Sequence, residues 1–554
     1  MFKLFSFSFN NRREAVNEDS LQRIDSQFKA ILCHKTLTVL LVSFLFLAPA
    51  ILIINCDSET SPLIFVPTGS PDLDTTDVQL LMAHAVELAE RLGAAVAVAV
   101  VDREANVLGV FRMTGVTDSD VFNETTGAIA KARTAAYLSS NQHAFTTLTA
   151  CFITRPHFPP GINNTPGGPL YGVPYSSLGG GDIQPNGDSV MARPGDSLPG
   201  LTGVPGGVPI FKGNRLAGGL GVSGGALGFT LNLCQGSSQD EEIALGALAG
   251  LSAPDDLRGD RIFIDGIRFL YANTEPRTGN FSLNYSDLAS RGGLDSNFDS
   301  IRATPIPDFP VEGDVDLSPS YGSSFNFNIT GGSILTLAEV QQIINQAAAQ
   351  AAKTRAAIRR PLGTPAQVFI SVVDTNGAVL GIWRTADATI FSFDVSAQKA
   401  RTAVAFSRSD HPLGIQVRNI LGLPAGQQLA VTCRAVGFLS QDFYPPGIDV
   451  DTLDKPVAAG PLYQGPEFEL QRGLGLRPFG NGITIFPGGC PLFKNGVLAG
   501  GIGISGDGVD QDDIICFAGT IGFEPPASIR CDNFFYDDIR LPYVKFPRRP
   551  EIDQ

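Results

Sequence analysis

Apolar positions recur at helical spacing from Val78 through Leu81, Met82, Ala85, Leu88 and Ala89 to Leu92, behind a Thr76-Asp77 pair that offers a cap. A continuous apolar run follows, Ala95 to Val101. A polar break at Glu104-Ala105-Asn106 then leads into a second run, Val107 to Met113. This pattern predicts two strands joined by a tight turn. Next come an Ala-rich helix around Lys131, a long Gly/Pro loop from Thr154 to Thr202, and strands over Val208–Phe211 and Leu216–Val222. A closing helix runs from Gln239 to Leu251. The order then repeats. Thr336 caps a helix whose face is Val340, Ile343, Ile344, Ala347 and Ala351, and Asn376-Gly377 marks the hairpin, a pair suited to positive φ.

The repetition extends to the residues. Val100-Val101-Asp102 and Val107–Arg112 return as Val372-Val373-Asp374 and Val379–Arg384. Lys131-Ala132-Arg133-Thr134-Ala135 returns as Lys399-Ala400-Arg401-Thr402-Ala403. Gly168-Pro169-Leu170-Tyr171 matches Gly460-Pro461-Leu462-Tyr463, and Pro205-Gly206-Gly207 matches Pro487-Gly488-Gly489. Val222-Ser223-Gly224 matches Ile504-Ser505-Gly506. Two copies of one domain, 73–272 and 333–546, account for these matches, with the polar stretch 273–332 as linker. Helices flanking antiparallel hairpins make each copy an α+β unit.

Composition narrows the chemistry. A formal charge of −15 argues against a nucleic-acid partner. Behind an N-terminal tail of residues 1–35, an uncharged apolar run from Thr36 to Asn55 ends at Cys56, long enough for a membrane anchor or an export signal. Cys56 stands where a bacterial lipoprotein is lipidated. The expectation is therefore an exported protein of the cell envelope, periplasmic or on the outer surface, anchored through this segment. Six cysteines follow Cys56, an even number suited to disulfides in an oxidising compartment, although their positions differ between the copies. Buried free thiols are the alternative. The five histidines, with no C-x-x-C, exclude the usual zinc and c-type haem patterns.

The G-x-G-x-x-G matches at Gly219–Gly224 and Gly501–Gly506 lie within a predicted strand, so they read as close helix–sheet packing and not as a nucleotide loop. Lys131 and Lys399 either aim a cation at a cavity, snorkel to the surface, or form buried ion pairs with Asp102 or Asp374. Ser223 and Ser505 have no shared histidine to activate them, and the acids opening the closing helices suit the helix dipole. No catalytic constellation emerges.

The V-V-D strand, the strand ending in aromatic-Arg, the A-K-A-R-T-A helix, the P-G-G-x-P turn and the G-x-G-[IV]-S-G strand, in order and twice over, together resemble the GlcG/HbpS-like haem-binding family. That family is also catalogued as haem-degrading and is related to the C-terminal part of PduO-type proteins. The resemblance implies an antiparallel sheet flanked by helices, frequent homo-oligomers, and haem or a related tetrapyrrole as a small-molecule ligand. The ligand-contacting set it implies is Asp102, Arg112, Lys131, Thr134, Tyr171, Gly206, Gly207, Ser223 and Gly224. Its second-copy counterparts are Asp374, Arg384, Lys399, Thr402, Tyr463, Gly488, Gly489, Ser505 and Gly506. No histidine is shared by the copies, so Tyr171 and Tyr463 are the shared loop side chains able to ligate iron. A non-catalytic structural or oligomerisation module, and an enzyme acting on haem or a small carboxylate, are the competing functional readings.

Overall fold

In the first copy, helix α1 (Thr75–Leu92) begins at Asp74, whose carboxylate accepts from Thr76 N and Asp77 N at 2.8 and 2.9 Å. The cap thus lies just ahead of the expected Thr76-Asp77 pair, and Gly93 ends the helix at φ +67°. Strands β1 (Ala97–Asp102) and β2 (Val107–Met113) form the expected hairpin. Helices α2 (Ala128–Tyr137) and α3 (Thr147–Ile153) follow, then strands β3 (Gly207–Lys212) and β4 (Arg215–Ser223) and the closing helix α4 (Gln239–Ala247). The computed structural model describes residues 72–545 except 124–125, 156, 163–164, 166, 171–200, 278, 305–312, 315–328, 442–443, 446–457 and 464–482. The apolar run 36–55, Cys56 and Tyr171 lie outside the described residues. Among those described, no helix is long and apolar enough to cross a membrane.

The segment expected to be a linker completes both sheets. Strand β5 (Gly292–Leu294) pairs antiparallel with β2, giving the order β3-β4-β1-β2-β5. Strand β6 (Gly313–Asp314) does the same for the second sheet. Residues 281–304 also pack on the first copy: Ser282 N and Leu283 N each donate to Glu87 at 2.8 Å, and Leu73 N donates to Thr304 Oγ1 at 2.8 Å. Strands this short carry no alternation for a pattern reading to detect.

The second copy repeats the plan with α5 (Leu337–Ala351), β7 (Phe369–Asp374), β8 (Val379–Arg384), α6 (Ser392–Ser407), α7 (Pro412–Ile420), α8 (Cys433–Leu439), β9 (Gly489–Lys494), β10 (Val497–Ser505) and α9 (Val509–Gly519). Its sheet runs β6-β8-β7-β10-β9, again antiparallel throughout. The registers coincide down to the bulges, after Val100 in β1 and after Val372 in β7. The α+β architecture and the duplication are thus both present in the fold.

Alternate residues of β1 divide between two cores, as strand periodicity requires. Val98 and Val100 pack with Leu81, Met82 and Ile243 from α1 and α4. Ala97, Ala99 and Val101 pack with Ala128 and Ala132 of α2 in a cluster that continues into Phe369, Phe391, Phe393 and Val395 of the second copy. The two copies therefore share one apolar core. The strand glycines allow the close approach beneath it: a Cβ on Gly219 or Gly221 would collide with the carbonyls of Ala132 or Ala128.

Candidate functional site

The paired lysines point inward and are fully buried. Lys131 Nζ lies 2.7 Å from Asp240 Oδ2 and donates to Val222 O at 2.9 Å. Lys399 Nζ lies 2.7 Å from Asp512 Oδ2 and donates to Ile504 O at 2.7 Å. Burial pushes the Asp240 and Asp512 carboxyls up and the Lys131 ammonium down; the facing lysine opposes the rise of each carboxyl, and Asp240 opposes the fall of Lys131. The partners are thus acids of the closing helices, and not Asp102 or Asp374. Those two residues organise turns: Asp102 accepts from Glu104 N and Asn106 N at 3.0 and 2.8 Å, and Asp374 accepts from Asn376 N and Ala378 N at 2.8 and 3.0 Å.

The rest of the expected set makes these contacts within the protein. Gly206 and Gly488 sit at φ +121° and +111°, and a Cβ at either would fall 2.7 Å from the β carbon of the paired aspartate. Cβ atoms on Gly207, Gly489 and Gly506 would strike backbone carbonyls, and one on Gly224, at φ +118°, would lie 2.5 Å from Ala95 O. Thr134 and Thr402 each accept a backbone N–H, from Thr202 and Thr484, at 2.9 Å. Arg112 pairs with Asp118 and Asp295, and Arg384 lies over the Phe369 ring, 5.7 Å from its centroid. Ser223 is buried, and Ser505 Oγ donates to Ser392 Oγ at 3.2 Å. Tyr463 is half-buried at the described edge of its loop.

Between the copies lies a buried charge network that the sequence reading missed. Arg359 donates to Asp507 at 2.6 and 2.7 Å, to Asp387 at 2.7 Å, and to Ser140 of the first copy at 2.9 Å. Arg103 of the first copy reaches Asp387 at 2.8 Å. Gln142 and Arg360 close the seam, with Arg360 N donating to Gln142 O at 2.9 Å. Arg359 belongs to the stretch between α5 and β7, residues 352–368; the first copy crosses the same gap with 93–96.

A cavity of about 340 Å³ opens against the second copy. Arg434, Gly437 and Phe438 of α8, together with Gln441, Ile485, Phe486, Pro487 and Pro542, form most of its described wall, and Gly167 and Gly168 of the first copy complete it. Arg434 pairs with Asp510 at 2.6 Å and with Asp513, and Lys545 lies 3.0 Å from Asp510. Two cations thus balance two carboxylates at its edge.

The corresponding hollow of the first copy is filled. Thr146 and Thr432 cap α3 and α8 and donate to the carbonyls of Tyr271 and Tyr543, which fixes the correspondence. Arg434, Gly437 and Pro542 are then matched by Leu148, Cys151 and Leu270. These three form a small apolar cluster with Cys234, Phe229 and Leu231. Cys151 and Cys234 are joined by a disulfide, whereas Cys433, Cys490, Cys516 and Cys531 are free and buried.

The described histidines are held by other groups. His143 uses both ring nitrogens, with Ser140 Oγ at 2.9 Å and Leu138 O at 3.0 Å. His84 stacks on Phe281 and bonds Ala247 O, and His411 caps α7. Among the described residues no group of His, Cys, Asp and Glu is arranged to hold a metal ion.

Fold and site together define a fused pair of sandwiched α+β domains, with a hollow open among the described residues of the second. The chain belongs to the HbpS-like family, described as "Haem degrading protein HbpS-like", whose model matches residues 73–248 and 335–520. It is similar to the corrinoid adenosyltransferase PduO of Salmonella typhimurium, 31% identical over 159 residues, which is 29% of this chain and 33% of that protein. The PduO of Citrobacter freundii is 30% identical over the same shares. The chain therefore spans about a third of the length of the curated relatives it matches. Among solved structures, a PduOC:heme complex is 22% identical, covers 34% of this chain and 95% of its own, and has a TM-score of 0.20. An HbpS double mutant from Streptomyces reticuli is 19% identical, covers 36% and 93%, and has a TM-score of 0.20.

Proposed function

We propose that the protein binds one small, apolar, carboxylate-bearing molecule per chain in the second-copy cavity, as an exported component of the cell envelope. The observation that carries this reading is the contrast between the hollows: apolar side chains and a disulfide fill the first, while the second stays open with Arg434 at its wall. Its volume lies at the lower end of the range for small-molecule sites, and Arg434, although it also pairs with Asp510 and Asp513, brings to the wall a guanidinium, the group of choice for a carboxylate. Family membership supports haem or a related tetrapyrrole as the ligand class. The described wall fits the propionate-bearing edge of such a molecule. It does not fit iron ligation, since it contains no His, Cys, Tyr or Met.

Titration of the full chain with haemin and with metal-free protoporphyrin tests this. The expected result is one molecule per chain, equal affinity within about threefold, and a loss of about tenfold or more in Arg434→Gln, as for a charged hydrogen bond. Haemin binding that metal-free protoporphyrin cannot match would overturn the wall assignment. No binding of either, with a large oligomer on a sizing column, would instead favour a structural module. The apolar run 36–55 and the Cys151–Cys234 bridge support export, because such bridges persist in oxidising compartments. Mass spectrometry of the mature N-terminus tests lipidation at Cys56, and a chain still beginning at Met1 would exclude it.

A further inference from the structure

The plug over the first hollow is an addition to the shared domain plan. Gly224 precedes Asp240 by sixteen residues, whereas Gly506 precedes Asp512, the matching acid, by six. The extra residues form a two-stranded hairpin, Leu227–Thr230 paired with Gln235–Ser238. Its base is held by Gly225 N on Asp240 at 2.8 Å, Ala226 N on the Gln239 side chain at 2.7 Å, and Gln239 N on Ala226 O at 3.0 Å. Its far end is tied down by the Cys151–Cys234 bridge and by one long bond, Asn273 Nδ2 to Cys234 O at 3.4 Å. The outer surface is exposed at Leu227 and Leu233, while Phe229 and Leu231 turn onto Leu148 and Leu270. A lone two-stranded hairpin is marginally stable in water. The bridge is therefore what keeps this one seated.

We infer that the first copy holds a latent twin of the second-copy cavity, latched shut by the Cys151–Cys234 disulfide and opened by a dithiol reductant. This rests on the proposed binding function and extends it to a second site for the same ligand class. In sequence, Leu148 and Arg155 of the first copy stand where the second has Arg434 and Gln441. The redox step balances within the named reactants. One thiolate of the dithiol attacks a bridge sulfur to give a mixed disulfide, and its second thiol displaces the cysteine. Two electrons and two protons pass to Cys151 and Cys234 as thiols, and the dithiol leaves as a disulfide. The hairpin then swings on its base and uncovers Leu148.

The experiment uses the full chain, with metal-free protoporphyrin as the probe and dithiothreitol as the reductant. Fluorescence titration counts sites, and hydrogen exchange follows the amides of residues 227–238. The expected result is a rise from one molecule per chain to two on reduction, with hairpin exchange at least about tenfold faster, as expected of a segment released to local opening. The Cys151→Ser/Cys234→Ser variant reaches two without reductant. Leu148→Trp, which refills the hollow, returns the reduced chain to one. A capacity of one in the oxidised chain, the reduced chain and the serine variant alike would overturn the latch and leave the proposed function standing. Zero in the oxidised chain and one in the reduced chain would support the latch and remove the second-copy site. Faster hairpin exchange with no added capacity would overturn the latent site.

Discussion

Lys131→Met tests whether the buried lysines serve the fold or a ligand. Lys131 Nζ has two acceptors, Asp240 at 2.7 Å and Val222 O at 2.9 Å, and both partners of the ion pair are buried. Methionine preserves the length of the side chain but leaves the Asp240 carboxylate with Gly225 N as its donor, at 2.8 Å. An uncompensated buried charge of this kind costs about 3–5 kcal/mol, whereas replacing both members of a buried pair by apolar groups is often near neutral. Lys131→Met alone is therefore expected to destabilise by about 3–5 kcal/mol, and Lys131→Met/Asp240→Leu by about 1–2 kcal/mol, a coupling of at least about 1 kcal/mol between the two sites. Urea denaturation followed by circular dichroism measures all the variants, with protoporphyrin titration in parallel. Ligand affinity should not change. A single variant within about 1 kcal/mol of wild type that has lost the ligand would refute the structural assignment, since a buried partner left behind should cost more than that.

Three further outcomes follow from the geometry. Burial raises the Glu241 carboxyl to about 7 from its ordinary 4.5, so the folded chain holds that proton more tightly than the unfolded one. Its contribution is full below pH 4.5 and is lost as pH rises through 7, about 3 kcal/mol in all; Glu241→Gln should flatten that slope, and an unchanged pH profile would exclude it as the source. Arg359→Met strands Asp387 and Asp507 and should cost about 3–5 kcal/mol, read as a lower urea midpoint; an unchanged midpoint would mean that the network contributes nothing. Ala105 occupies the left-handed turn position, φ +63°, that Gly377 fills in the second copy at +79°. Ala105→Gly should therefore stabilise by up to about 1 kcal/mol, and a lower melting temperature would contradict this.

Much of the architecture was legible because it is local. The runs at Val107–Met113 and Val379–Arg384, the alanine-rich helices and the Asn376-Gly377 turn each declare themselves within a few residues. The copy-to-copy matches then located the second domain from the first. What the residues did not disclose depends on distant pairing. Lys131 and Asp240 stand 109 residues apart, and nothing near either names the other. Arg359 lies in a stretch with no counterpart, so comparing the copies could not expose it. Strands β5 and β6, three and two residues long, are strands only because β2 and β8 offer them an edge. The differing cysteine positions were visible, and they were the signal that one hollow had been modified; that signal required the fold before it had a meaning.

The seam around Arg359 carries a consequence for the history of this chain. A fusion of two identical units begins with interchangeable halves, each able to replace the other. Here one half supplies Ser140 and Arg103 while the other supplies Arg359, Asp387 and Asp507. A chimera of two first halves would lack the central guanidinium, and one of two second halves would keep Asp387 and Asp507 beside it but lose Ser140 and Arg103. Each half now supplies part of a seam that the other completes, so the halves are no longer interchangeable.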